Sequence, residues 1–389
     1  MDTTGKAPGV YVQPIDAVGP IAGVGTSTAA MIGKPARLAA GVAKNVPQVV
    51  TSWTAYTNLF GEFDSSTPLP YAVRGFFENG GSLLHVIPVD STSDLTAPID
   101  ALTRIPGVNL VCAPGVTDAG AQKALIAHCS QTPNRFAVLD GAQEPVDAGD
   151  PPVSPTDDTS KLLTTVKAVS SAAGAFAGVY WPWVVADDPA AAATAAVRTI
   201  TVPPSGHVAG IIARSDTRYG VHKAPANEEV VGALDLSFAV NATEQGKLND
   251  SGVNVIRRFA GRAPTVWGAR TVSTDTAWRY VNVRRLVSYI EASLTDGLGW
   301  ALFEANTTSL WQSLARTVTE FLDRVWQAGA LFGRTAGEAY YVRIDDELNP
   351  QELRKLGQVN IEIGIAPVEP AEFVVVRLGL LNGSQPGRN

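Results

Sequence analysis

The chain has 389 residues, 45% of them hydrophobic, and a net charge of −7. That length supports a large core and two domains, the acidic balance argues against general nucleic-acid binding, and no apolar run approaches the ~18 residues that a membrane span needs. Only 17% of residues are charged, against about a quarter in an ordinary soluble domain, which suits a subunit covered largely by copies of itself.

The first 25 residues do not read as core. MDTTGKAPGVYV has no basic region followed by an apolar one, so no secretory signal is expected. Pro8-Gly9-Val10-Tyr11-Val12-Gln13-Pro14-Ile15 is one strand's length between prolines, which fits an edge or an arm and not a central strand. An extended arm that pairs with another chain is the expectation. Residues 19–25 are Gly-rich and read as a flexible connector.

A β/α alternation follows. Strands are predicted over 26–32, 83–89, 108–112, 135–140 and 175–185. Helices are predicted over 49–60 with Ser52 as cap, 69–78 stopped by Asn79-Gly80-Gly81, 119–129, 161–173, 190–196 and 207–216. Residues 141–159 are rich in Pro and Asp and read as a surface loop. Such alternation implies an open, mostly parallel sheet with helices on its faces. Cys112 and Cys129 lie in apolar surroundings and read as buried free thiols.

The stretch 248–294 has a different character. Val253-Asn254-Val255-Ile256 reads as a strand, and 266–272 as a second short one. Ser273 or Thr274 is placed to cap a helix carrying Trp278, Val281, Leu286, Ile290 and Leu294 on its apolar side. Between residues 251 and 290 stand seven arginines (257, 258, 262, 270, 279, 284, 285) against one carboxylate, Asp275, and no lysine. Arginine forks carboxylates and tolerates interfaces better than lysine. A long helix over 309–332, ended by Gly333, comes next, then a strand over 339–344. A short helix begins at Asn349-Pro350 and closes at Gly357. Strands over 358–365 and 373–378 finish the chain.

Several motifs, in order, carry a resemblance. Leu248-Asn249-x-x-Gly252-Val253-Asn254, Trp267-Gly268-Ala269-Arg270-Thr271 and Trp278-Arg279-Tyr280-Val281-Asn282-Val283-Arg284-Arg285-Leu286 resemble the C-terminal domain of contractile tail sheath proteins. Phe76-Phe77-Glu78-Asn79-Gly80-Gly81, Tyr180-Trp181-Pro182-Trp183, 202–211 and 220–229 extend the resemblance through the middle of the chain. Phe303-Glu304-Ala305-Asn306 is close to a Phe-Glu-Pro-Asn motif of that family, with Ala where Pro is usual.

The resemblance implies an α/β middle domain, subtilisin-like in fold, over 26–245. It further implies an α+β C-terminal sheath domain over 246–368, an N-terminal arm over 1–25 and a C-terminal arm over 369–389. It implies a structural subunit of a phage tail or phage tail-like particle, assembled in the cytoplasm as stacked helical rings. The partners implied are an inner tube protein, baseplate and tail-terminator proteins, with no cofactor, no nucleic acid and no membrane insertion. Val10, Tyr11, Val12 and Ile15, and Phe373, Val374, Val375, Val376 and Leu378, would add as strands to sheets of neighbouring subunits. The acceptor sheet would be built on Tyr341, Val342, Val359, Ile361 and Ile363, with residues 19–25 and 369–372 as hinges. For the arginines two readings stand: intramolecular or solvated ion pairs, or a positive face toward an acidic tube, with Arg279, Arg284 and Arg285 facing it.

Two alternatives are a degenerate α/β hydrolase and another self-assembling tail component. The hydrolase needs Ser, His and Asp converging. The four histidines, His85, His128, His207 and His222, offer no evident set, and Ser205-Gly206-His207 is too short a spacing for the two side chains to align easily. His128 and Cys129 are neighbours and point apart on a helix, so no metal site is expected. No phosphate-binding Gly-x-x-x-x-Gly-Lys loop is present.

Overall fold

The computed structural model describes residues 19–143 and 154–373. In chain order its strands are β1 (Ala29–Gly33), β2 (Gln48–Val50), β3 (Leu84–Pro88), β4 (Leu110–Cys112), β5 (Phe136–Asp140), β6 (Ala177–Trp181) and β7 (Val184–Asp187). They continue with β8 (Thr199–Val202), β9 (Glu228–Glu229), β10 (Ala233–Leu236), β11 (Val253–Arg257), β12 (Thr265–Val266), β13 (Tyr340–Arg343) and β14 (Glu362–Ile365). The helices are α1 (Trp53–Phe60), α2 (Leu69–Glu78), α3 (Thr96–Thr103), α4 (Ala119–Gln131), α5 (Lys161–Val169) and α6 (Ser205–Tyr219). After them come α7 (Ala242–Asp250), α8 (Val281–Gly297), α9 (Thr308–Gln327), α10 (Ala336–Ala339) and α11 (Gln351–Lys355).

Nine strands form one sheet in the order β2-β3-β1-β4-β5-β6-β11-β12-β9. Pairing is parallel from β3 through β11, and antiparallel at both margins. The parallel strands are apolar at successive positions because both faces are covered. Met31, Val86, Leu110, Cys112, Phe136 and Val138 meet α1, α2 and α6 on one face. Ala30, Ile32, Val111, Ala137 and Leu139 meet α3, α4, α5 and α7 on the other. Cys112 and Cys129 therefore lie on opposite sides of the sheet, buried and free.

Local chemistry fixes the helices around it. Ser52 caps α1 by accepting from Ala55 N at 3.1 Å, and Asn241 with Glu244 forms a capping box on α7. Helix α6 presses its backbone on α2. A Cβ at Gly206 would lie 2.3 Å from the Ala72 carbonyl oxygen, and one at Gly210 would lie 2.4 Å from that of Phe76. Only glycine permits that approach.

A second, smaller core forms from α8 and α9 with the β13–β14 ribbon. Leu286, Ile290, Val318, Phe321, Leu322 and Val325 fill it. Helix α9 ends in a two-bond cap: Gly329 N bonds Trp326 O (2.8 Å) and Ala330 N bonds Val325 O (3.2 Å), with Gly329 at φ +79°.

Several expectations are corrected. Helix α9 stops at Gly329, not at Gly333. Residues 190–196 form turns, because an Ala-rich run without an apolar stripe has no face to dock. The run 266–272 keeps only its first residue in a strand. Asp275, not Ser273 or Thr274, caps a single 3-10 turn, Thr276–Trp278, so Trp278 precedes α8 and is not on it. Strands β11 and β12 belong to the large sheet, and Val272 still donates to Ala177 O in β6 (3.1 Å). The expected boundary at 245/246 would cut that sheet; the smaller unit begins near residue 273.

Candidate linkage surfaces

The β13–β14 ribbon is the first candidate. Its strands are antiparallel, with Tyr340 opposite Ile365 and Arg343 opposite Glu362. Strand alternation splits the residues between two faces. Tyr340, Val342, Ile363 and Ile365 pack on the α8–α9 core. Tyr341 covers Gly364 on the outer face, and its hydroxyl donates to Glu362 Oε1 at 2.9 Å. Residues 366–368 continue past β14 and bond to 330–332. Two strands leave backbone groups at the ribbon's edges without a ladder partner among the described residues, which is the state that accepts an added strand.

Three of the five residues expected in this sheet, Tyr341, Val342 and Ile363, are strand residues. Val359 and Ile361 are not, which corrects the expected start at residue 358. The reason lies in Asn349. Its side chain takes the N–H of Asn360 at 2.6 Å and donates to the Asn360 carbonyl at 3.0 Å. Those are the groups a ladder would need. Of the expected arm residues, Phe373 is exposed and outside any strand. Val10, Tyr11, Val12, Ile15, Val374, Val375, Val376 and Leu378 lie outside the described residues.

In the arginine stretch the intramolecular ion-pair reading holds for Arg258, Arg270, Arg284 and Arg285. Arg284 is buried, bonded to Glu291 (2.9 Å) and Ser288 (3.2 Å). Its guanidinium lies 4.3 Å from the Trp278 ring centre and 4.6 Å from that of Phe176. Arg285 is buried against Asp216 at 2.9 and 2.6 Å, and it also donates to Thr26 O at 2.9 Å. Neither presents its charge to a tube, because each is enclosed by its own subunit. Arg279 alone of the three is exposed, and its side chain has no partner among the described residues. Arg270 is paired with Glu372, 102 residues away. Arg257, Arg258 and Arg262 hold Gln245, Asp235 and Asn227.

The N-terminal connector is also corrected. Ile21 is buried in the smaller core. Val24 N donates to Ser293 Oγ, Gly25 O accepts from Asn134, and the Tyr289 hydroxyl sits where a Gly23 side chain would stand. Residues 21–26 are thus seated on the body and do not act as a free hinge.

A serine-hydrolase constellation is not assembled. Ser205 donates through Oγ to Asp140 Oδ2 at 2.7 Å and through its N–H to Oδ1 at 2.8 Å. No histidine stands between hydroxyl and carboxylate, so the relay has no base in its middle. Burial pushes the Asp140 carboxyl up to about 6 and pulls His207 down to about 4. His207 Nδ1, in the same helical turn, has no hydrogen-bond partner among the described residues. No group of three metal-ligating side chains occurs among them.

Comparison with known proteins now decides the family. Residues 91–272 match the phage tail sheath protein central domain, and residues 273–380 match the phage tail sheath C-terminal domain. The chain belongs to the contractile tail sheath family. The junction of the two matches falls where the large sheet gives way to the smaller core. A prophage major tail sheath protein of Pseudomonas aeruginosa is 27% identical over 176 residues, which is 44% of each chain. The chain thus spans less than half the length of that relative. Among solved structures, the sheath complex of an extracellular contractile injection system (PVC) in its contracted state is similar over 97% of this chain and 98% of that one. The identity is 28% and the TM-score 0.77. The contracted helical sheath of the anti-feeding prophage is similar over 96% and 98%, at 28% identity and TM-score 0.75. Asp140, Ser205 and His207 are all buried within the large-sheet unit.

Proposed function

We propose that this chain polymerises as stacked helical rings around an inner tube and contracts from an extended to a shorter, wider sheath. The observation that carries the reading is the likeness, over nearly the whole chain, to sheath subunits in contracted assemblies. Terminal strands would add to the β13–β14 ribbon of neighbours, where backbone groups lack partners among the described residues. Main-chain hydrogen bonds would keep subunits connected while they rotate. The change would be driven by lateral contacts that assembly on the tube postpones, so no nucleotide and no catalytic step is required of this subunit. A baseplate and a tail terminator would bound the cylinder, and assembly would take place in the cytoplasm before the particle is released.

Arg279 is the one of the three arginines left to face a tube. An exposed charge contributes little singly, ~0.2–1 kcal/mol per pair, and repetition around a ring makes such contacts both sufficient and releasable. Negative-stain electron microscopy tests the proposal. Purified chain, alone or with its tube protein, should give hollow cylinders with striated walls. Monomers that stay dispersed at high concentration with the tube present would refute it.

A further inference from the structure

The arginines that do not face outward hold something specific. Arg270 follows β12, and its N–H is fixed by Asn254 Oδ1 at 2.6 Å. Its guanidinium donates to both carboxylate oxygens of Glu372, from Nε at 3.1 Å and from Nη2 at 2.6 Å, and to Asn249 O at 3.0 Å. Both side chains are nearly enclosed, at 10% and 14% exposure. Glu372 is the last residue but one of the described body. Arg285 does the equivalent at the other end. It comes from α8, forks Asp216 on α6, and reaches the carbonyl of Thr26, three residues before β1. Arg324 of α9 takes the carbonyl of Ile21 at 2.8 Å, further along the same segment.

The two clamps cross. A guanidinium from the large-sheet unit holds the root of the C-terminal segment, and one from the smaller unit holds the root of the N-terminal segment. A bidentate fork fixes direction as well as distance, which a lysine ammonium would not. We propose that Arg270, through Glu372, and Arg285 with Arg324, through Thr26 and Ile21, are positioning residues that set where and in which direction the two terminal segments leave the body. The inference rests on the reading that those segments link neighbouring subunits. A linking strand must reach its acceptor in one register, since a slip of one residue turns every side chain to the wrong face. Holding the root shortens the free length over which that register is searched, and so raises the local concentration of the strand at its acceptor.

The C-terminal clamp is the easier to test, because Glu372 lies outside every helix and strand. In full-length chain, Arg270→Gln should speed cleavage after Glu372 by a Glu-specific protease on the order of ten-fold or more, read by intact mass. The thermal midpoint should stay within a few degrees of wild type. Arg270→Gln and Glu372→Gln should both give fewer or shorter sheaths at a concentration where wild type assembles fully. Wild-type cleavage in Arg270→Gln, or wild-type sheaths from either variant, overturns the proposal. A chain ending at Glu372 separates the clamp from the linkage. If that chain still forms wild-type sheaths, the linking role of the C-terminal segment fails and the proposal with it. If it fails to assemble while Glu372→Gln assembles normally, the linking role stands and the clamp falls.

Discussion

The large-sheet unit and the smaller C-terminal unit satisfy their strands in opposite ways. Parallel strands β1, β4, β5 and β6 each have two neighbours and two covered faces, and β1, β5 and β6 are buried at every position. Among the described residues, strands β13 and β14 have only each other, one covered face, and a fringe of side-chain bonds from Asn349. Apolar exposure follows the same division. Of the six large hydrophobic residues exposed by 70% or more among the described residues, five (Leu302, Phe303, Phe332, Leu356 and Phe373) lie beyond residue 273. One unit is a finished scaffold. The other carries a two-stranded ribbon and most of that exposed apolar surface.

The largest test of this contrast is at the junction. Asp216→Ala leaves the Arg285 charge buried and unpaired, and should cost about 3–5 kcal/mol in urea unfolding. A cost below ~1 kcal/mol would mean that the two units are not coupled through that pair. Phe76→Ala, deep under the large sheet, should cost a similar ~3–5 kcal/mol. Tyr341→Ala, on the outer face of the ribbon, should cost the monomer less than about 1 kcal/mol yet reduce assembly. Equal effects of these two substitutions on monomer stability would break the comparison.

Acid should weaken the scaffold. His128 and His207 are held neutral, down to about 4, by burial and by the nearby Arg135 and Arg74 charges respectively. Each takes a proton in the unfolded chain near 6.5, so the stability present above pH 6.5 is lost as pH falls toward 4. Asp140 acts in the other direction. With its carboxyl raised to about 6, its contribution is full below its unfolded value and lost as pH rises through 6. Two histidines outweigh one carboxyl, so the net change from pH 6.5 to 4 is a loss. His207→Gln should flatten that loss by on the order of 3 kcal/mol, at ~1.4 kcal/mol per tenfold in proton affinity. A stability that rises on acidification would contradict this assignment. Smaller still, Ser52→Ala should cost ~1 kcal/mol through its lost cap, and Arg279→Glu should leave monomer stability within ~0.5 kcal/mol while weakening tube binding.

Much of the scaffold was legible in the sequence. Helix α2 runs over the span its Asn-Gly-Gly stop predicts, and Ser52 caps α1 as its spacing before an apolar run suggests. Helix α7 was missed because Leu248 is its only buried residue, so it carries no periodic stripe. The three-stranded sheet β10-β7-β8 was missed because its strands are short and half-exposed. The arginines were the hardest. A charge in a sequence reads as surface, and what buries Arg285 and Arg270 stands 69 and 102 residues away. Their motif context marked them as notable without revealing what they hold.

Deletion of residues 1–20 tests the central claim most directly, because the account makes linkage by terminal segments the condition for a sheath. Full-length and shortened chains would be compared by circular dichroism and by electron microscopy at equal concentration. The account predicts that the shortened chain keeps its α/β spectrum and cooperative melting but forms no cylinders. A shortened chain that builds the same striated cylinders as the full one would contradict it.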